Sequence, residues 1–281
     1  MTAPTDSAYR PRDYWGRRVS GDGSLSNVGQ AALGPYNEYA YPFRLHALDR
    51  LTTGVPVRGK RVFDGGFGEG VYLDYWTRRG VPELAGIDFS DRAVEAGRRR
   101  YPDSDLKTGD LSRADDFTPF RRYDIVTAID VLYHVVDDAA WSAAVGNLLS
   151  LVAPEGYFIY SDKFPRSGAW QPMPHVRRRS RATWDERLAI GGFEVVRRVP
   201  VFVLMDDPIT CGSHPLLGQL ARLQWRLFAK LIRMSAAHPR LQRGIAFTVA
   251  LMQAPPEHLL VRLLNESPNL ELVLCRRVGR H

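Results

Sequence analysis

Short apolar blocks that end in an acid or a glycine recur along the first two thirds of the chain. Val62-Phe63-Asp64, Leu84-Ala85-Gly86-Ile87-Asp88 and Tyr123-Asp124-Ile125-Val126-Thr127-Ala128-Ile129-Asp130 are the clearest. Apolar runs of this length, bounded by turn residues, read as buried strands. Another short strand precedes Thr108-Gly109-Asp110-Leu111. A fifth, Tyr157-Phe158-Ile159-Tyr160-Ser161, is entered through Leu151-Val152-Ala153-Pro154-Glu155-Gly156. Between them lie helix starts: Ser90-Asp91-Arg92-Ala93-Val94-Glu95 has a Ser or Asp cap, and Asp137-Asp138 puts acids at the positive end of a helix. Phe193 to Arg197 predicts a sixth strand and Asn269 to Cys275 a last one. Strands and helices in alternation make an α/β fold.

The first strand runs into Gly65-Gly66-Phe67-Gly68-Glu69-Gly70. Glycines at alternate positions permit a tight turn and a close ligand approach that a Cβ would block. This is the first βα turn of a nucleotide-binding fold. Its charges narrow the ligand. Asp64 and Glu69 bracket the loop, and two carboxylates repel a pyrophosphate. They suit a cationic ligand such as S-adenosylmethionine (SAM), which has an ammonium, a sulfonium and no phosphate. Asp88, closing the second strand, stands where a carboxylate accepts hydrogen bonds from ribose hydroxyls.

These residues resemble the class I SAM-dependent methyltransferase superfamily. The matches are Asp64-x-Gly66-x-Gly68-x-Gly70, Asp88, Gly109-Asp110, Asp130 through His134, and Pro154-Glu155-Gly156, in the family's order over roughly residues 60 to 162. The resemblance implies a Rossmann-like, seven-stranded mixed sheet with helices on both faces and an antiparallel last strand. It implies SAM as cofactor, held by Asp64, Gly65, Gly66, Gly68, Gly70, Asp88, Phe89, Asp110, Leu111, Asp130 and Val131. Asp110 would face the adenine, Leu111 would supply a backbone N–H, and Phe89 and Phe67 would add apolar surface. The sequence departs from the pattern at Gly65-Gly66-Phe67 and at Glu155, which replaces the second glycine of the usual turn.

The chain has 281 residues, is 44% hydrophobic and 25% charged, and fits a globular α/β protein with an elaboration. Its polar N-terminus shows no secretory signal, no apolar run reaches spanning length, and Cys211 and Cys275 make no metal or redox spacing. A cytoplasmic setting is the expectation. The net charge of +7 raises nucleic acid as a partner. Arg98-Arg99-Arg100, however, suits a helix end, and no nucleic-acid module is present. The expected partner is a small-molecule substrate, with no nucleic acid; oligomeric state stays open.

Four parts are expected: an aromatic-rich cap over 1–58, a SAM-binding core over 59–204, a helical lid over 205–265, and the last core strand over 266–281. In the third part Leu216, Leu220, Leu223, Leu227 and Leu231 recur at helical spacing among Arg222, Arg226, Lys230 and Arg233. Packing on the core, a lid over substrate and a membrane-surface face are the alternatives.

The expected reaction transfers a methyl group to a small-molecule acceptor, oxygen favoured over nitrogen or carbon, in specialised metabolism. The enzyme need only hold the acceptor in line and remove its proton where required. His134, after the fourth strand, is the candidate base or acceptor-positioning group, with a packing role as its alternative. Asp162, His175 and His214 are further candidates. Tyr14, Trp15, Tyr36, Tyr39, Tyr133 and Arg177 are candidate substrate contacts. Asp137-Asp138 reads as a helix start, and no metal is expected. Two other readings remain: an enzyme of the same fold that catalyses a cyclisation or decarboxylation with SAM bound, and a non-catalytic partner subunit.

Overall fold

The computed structural model describes residues 9–21, 25, 33–209 and 215–278. The apolar blocks form β1 (Arg61–Gly65), β2 (Glu83–Asp88), β3 (Asp105–Thr108), β4 (Tyr123–Ala128) and β5 (Val152–Lys163). Two more core strands follow, β8 (Phe193–Pro200) and β9 (Leu270–Arg277). They hydrogen-bond in the order β3-β2-β1-β4-β5-β9-β8. β1 to β5 are parallel, and β9 runs antiparallel between β5 and β8. The expected sheet and its antiparallel last strand are therefore present. The strand order reverses between β1 and β4, where ligands bind beyond the carboxyl ends in such sheets.

Successive strand residues point to opposite faces. Val62, Ile125, Ile159 and Leu272 pack against α2 (Tyr36–Leu51), α3 (Val71–Arg78), α7 (Pro215–Met234) and α8 (Pro239–Leu263). Their neighbours Phe63, Val126, Phe158 and Val273 pack against α5 (Asp138–Ser150) and α6 (Arg181–Ile190). α4 (Asp91–Arg100) buries Ala93, Val94 and Gly97 with Phe67 and Leu106. Ser90 caps it by accepting from the Ala93 N–H, and Asp137 caps α5 in the same way at Ala140.

One element was not expected. β6 (Ala169–Met173) and β7 (Val176–Arg179) form a two-stranded hairpin between β5 and α6. It carries His175 in its turn. The aromatic segment before the sheet contributes α1 (Pro11–Arg18) and α2.

Candidate active site

The glycine loop and the strand ends assemble an acidic pocket. Asp64, at the end of β1, is 1% exposed. Its Oδ1 accepts from the Thr127 hydroxyl at 2.6 Å, and its Oδ2 is buried with no hydrogen-bond partner. Asp88 accepts from the Gly68 N–H at 2.9 Å and the Ser90 N–H at 2.8 Å. Burial raises the pKa of Asp64 to about 7, opposed by the Thr127 bond and aided by the Asp88 charge. Burial raises that of Asp88 to about 6 against its two backbone bonds. Two acids kept this far from water, with Glu69 nearby, hold a negative potential that a cation relieves.

The loop backbone is fixed by what surrounds it. Gly66 has φ +75°, and a Cβ there would meet Val131 Cγ2 at 2.4 Å. Val131 thus closes the loop against the end of β4. Gly68 has φ +50°, and a Cβ there would meet nothing within 4 Å. The space in front of Gly68 is the open side of the loop. These features fit SAM: an unpartnered buried carboxylate oxygen for its ammonium, room at Gly68 and Asp88 at the second strand end.

Asp130, just past β4, anchors a second cluster. It is a non-glycine residue at φ +61°, a conformation that costs about 1–3 kcal/mol and needs support from its surroundings. Arg44 of α2 supplies it, one nitrogen donating to both carboxylate oxygens at 3.0 and 2.8 Å. The Tyr72 hydroxyl donates at 2.9 Å and that of Tyr133 at 3.3 Å. Ser161 of β5 donates to the Asp130 carboxylate while the Asp130 N–H donates to Ser161 Oγ at 2.7 Å. Burial and the Asp130 charge push both tyrosines well above the usual phenol range, so they remain donors. The Arg178 guanidinium lies 3.6 Å from the Tyr133 ring centre.

The segment 9–21 crosses the site from one cluster to the other. At one end Trp15 packs on His134 with ring centres 4.4 Å apart, and Tyr14 stacks on His175 at 4.6 Å. The Tyr14 hydroxyl reaches His175 Nε2 at 3.2 Å, and Tyr9 donates to the His134 carbonyl. At the other end Glu69 accepts from the Ser20 N–H at 2.6 Å, the Ser20 hydroxyl and the Gly21 N–H. Val19 is buried with Phe67 and Tyr101.

His134 sits inside this wrapping. Its Nδ1 lies 2.8 Å from the His175 carbonyl, which places the proton on Nδ1 and leaves Nε2 the acceptor. Desolvation by the surrounding rings lowers its pKa to about 3; the carbonyl bond opposes, and the Arg178, His175 and Arg18 charges add. The imidazole is neutral at every ordinary pH, unlike a free imidazole, which titrates at about 6.5.

Other residues named from the sequence are placed differently. Asp162 is fully buried beneath the site, accepting from Arg178 at 3.1 Å, Trp184 at 3.0 Å and the Lys163 N–H. Those bonds hold β5 to the hairpin and α6 and occupy both carboxylate oxygens. Tyr36 is 1% exposed, donates to Gln253 and packs on Trp225 of α7, so it joins α2 to the C-terminal helices rather than walling the pocket. Tyr39 meets Phe247 of α8. Arg177 forks onto Asp138 at the start of α5. Asp110 turns its carboxylate to the N–H and hydroxyl of Ser112, and Leu111 is buried beside Gly65. Phe89 is half-buried next to Asp88. His214 and Cys211 lie outside the described residues.

Arg44, Tyr72, Ser161 and Glu69's partner Ser20 were missed. Arg44 and Asp130 are 86 residues apart, and no local spacing signals their meeting. A charged residue inside the apolar, aromatic run of α2 was the one available sign.

The fold has counterparts among known proteins. A model described as "Methyltransferase domain" matches residues 36–198. The ubiquinone biosynthesis O-methyltransferase of Neisseria meningitidis serogroup C is 32% identical over 130 residues, covering 43% of this chain. The match spans only about half of that relative's length, 52%. Among solved structures, the N-methyltransferase NodS of Bradyrhizobium japonicum WM9 with S-adenosylhomocysteine superposes with a TM-score of 0.56 at 13% identity, covering 98% of this chain and 100% of that one. The DhpI–SAH complex gives 0.53 at 20% identity, with 96% of each chain covered. These likenesses establish the fold. The chain belongs to the methyltransferase domain family, with the class I SAM-dependent methyltransferase fold.

Proposed function

We propose that the protein transfers the methyl group of SAM to an oxygen of a small-molecule acceptor. The observation that carries this reading is Asp64 Oδ2, buried and without a hydrogen-bond partner at the start of a glycine loop whose Gly68 faces open space. Gly66, Gly68 and Asp64 take the amino-acid end, Asp88 the ribose, and the turn at Asp110–Leu111 with Phe89 the adenine side. SAM supplies a methyl already activated on a sulfonium, so the chain's task is to position the acceptor and exclude water. Trp15, Tyr14, Tyr133 and His175 line the acceptor side, and His134 Nε2 accepts a hydrogen bond from the acceptor hydroxyl; as the oxygen takes the methyl and sulfur keeps the electron pair of the broken bond, the hydroxyl proton passes to solvent. Oxygen is favoured because several of the curated relatives that the chain resembles are named as O-methyltransferases.

Calorimetry with SAM and S-adenosylhomocysteine, followed by incubation with a panel of phenols and other hydroxyl compounds, tests the reading. The expected result is binding of both, and a methylated product formed in equal amount with S-adenosylhomocysteine. Binding without methylated product across oxygen, nitrogen and carbon acceptors would sink the transferase reading and retain only the cofactor site.

A further inference from the structure

One face of α7 is spent on the core: Gly218, Ala221, Trp225, Ala229 and Ile232 are buried at helical spacing. The opposite face is apolar as well. Leu216, Leu220, Leu223, Leu227, Leu231 and Met234 recur every three or four residues and are all exposed, Leu216 at 76% and Leu223 at 69%. A surface helix ordinarily carries its charged residues there. Here the charges form a separate row on one flank, Arg222, Arg226, Lys230 and Arg233. α8 exposes Leu251, Met252 and Leu259 and adds Arg240, Arg243 and Arg262. The one acid between 215 and 263, Glu257, is fully buried and accepts from the Val203 and Leu204 N–H groups. The two helices therefore expose leucines and cations with no carboxylate between them. Glu38 of α2 stands 3.6 Å from Arg243, and the Asp207 charge faces Arg222 and Arg226 at the N-terminal end of the row, short of Lys230 and Arg233.

We propose that α7 is an interfacial helix that seats the protein on a membrane surface rich in anionic headgroups. Its leucines enter the boundary between headgroups and acyl chains, and its basic row lies against lipid phosphates. Charge decides between occupants. A second copy would bring another leucine stripe and basic row, with no matching row of acids. An anionic lipid surface answers both the apolar stripe and the row beside it. No described helix is long and apolar enough to cross a membrane, so the contact lies along the surface. The proposal stands apart from the methyl-transfer reading, because the family match ends at residue 198, before α7 begins.

Cosedimentation of the full chain with vesicles tests it. One set is phosphatidylcholine alone; the other has equal parts phosphatidylcholine and phosphatidylglycerol. The native protein should bind the anionic set at least about tenfold more tightly, and less so in high salt. Each Lys or Arg near such a surface is worth about fivefold in binding. Arg222→Gln/Arg226→Gln/Lys230→Gln should therefore lose about 100-fold and most of the salt dependence. Leu220→Ser/Leu223→Ser/Leu227→Ser should lose binding to both sets. The altered side chains lie outside the core, and an unchanged melting midpoint certifies each variant as folded. Native protein that ignores anionic vesicles at low salt overturns the proposal. So does equal binding by native protein and both variants, or a dimer abolished by the leucine changes without any vesicle binding.

Discussion

Asp64 receives the Thr127 hydroxyl on one carboxylate oxygen at 2.6 Å and keeps the other buried without a partner. Half of this carboxylate is held in place and half is presented. In the ligand-free protein the arrangement is costly, and pH exposes the cost. The folded-state pKa values of Asp64, about 7, and Asp88, about 6, lie above the unfolded value. Their contribution to stability is thus fully present below about pH 4 and is lost as pH rises through about 6 and 7. The melting midpoint of ligand-free protein should fall over that window, and Asp64→Asn should flatten the fall.

A cationic ligand reverses the sign. It favours ionised Asp64, so binding below about pH 7 releases a proton, and SAM affinity should rise by up to about tenfold per pH unit there. Calorimetry in buffers of differing ionisation enthalpy reads that proton. An affinity independent of pH across the window takes Asp64 out of the cofactor site.

Asp88→Ala removes a ribose acceptor and also frees the Gly68 and Ser90 N–H groups. SAM binding should weaken by roughly 1.5–3 kcal/mol, the scale of a hydrogen bond to a charged group. Unchanged affinity in the folded variant would leave Asp88 as a loop brace only.

Arg44→Met strips the main counter-charge from Asp130 and should destabilise the protein by about 3–5 kcal/mol, read by denaturant unfolding. The double variant Arg44→Met/Asp130→Asn should recover much of that loss. Equal loss in the two would show that the pair does not hold the Asp130 backbone conformation.

His134→Gln tests the acceptor side. With the imidazole neutral down to about pH 3, native turnover should show no acid limb from this residue near pH 6.5. The drop in kcat should fall short of the about 10²–10⁴-fold carried by a general base, with SAM affinity little changed. A full loss of that size together with a limb near 6.5 would restore His134 as the base.

The parallel strands were legible because each is an apolar block with an acid or glycine at its end, and the sheet buries both faces. The glycine loop was legible for the reason Gly66 shows: no other residue tolerates both φ +75° and Val131 at that distance. Glu155, noted as a departure from the family's glycine, does adopt φ +59°. The β6–β7 hairpin was not legible, since Ala169 to Met173 are all exposed and carry no alternation of inward and outward residues. Tyr36 and Tyr14 look alike in a Tyr-rich segment, yet one enters the core and the other meets His175. Only tertiary packing separates them. The same holds for Asp162, whose position near the end of β5 says nothing of Arg178 and Trp184 arriving from later elements.

The strap from Tyr9 to Gly21 touches the histidine cluster at one end and Glu69 at the other. Were SAM to sit at Gly68 and an acceptor beside His134, as proposed above, one continuous piece of chain would border both, so that a cut within residues 9–21 would be felt at two subsites at once.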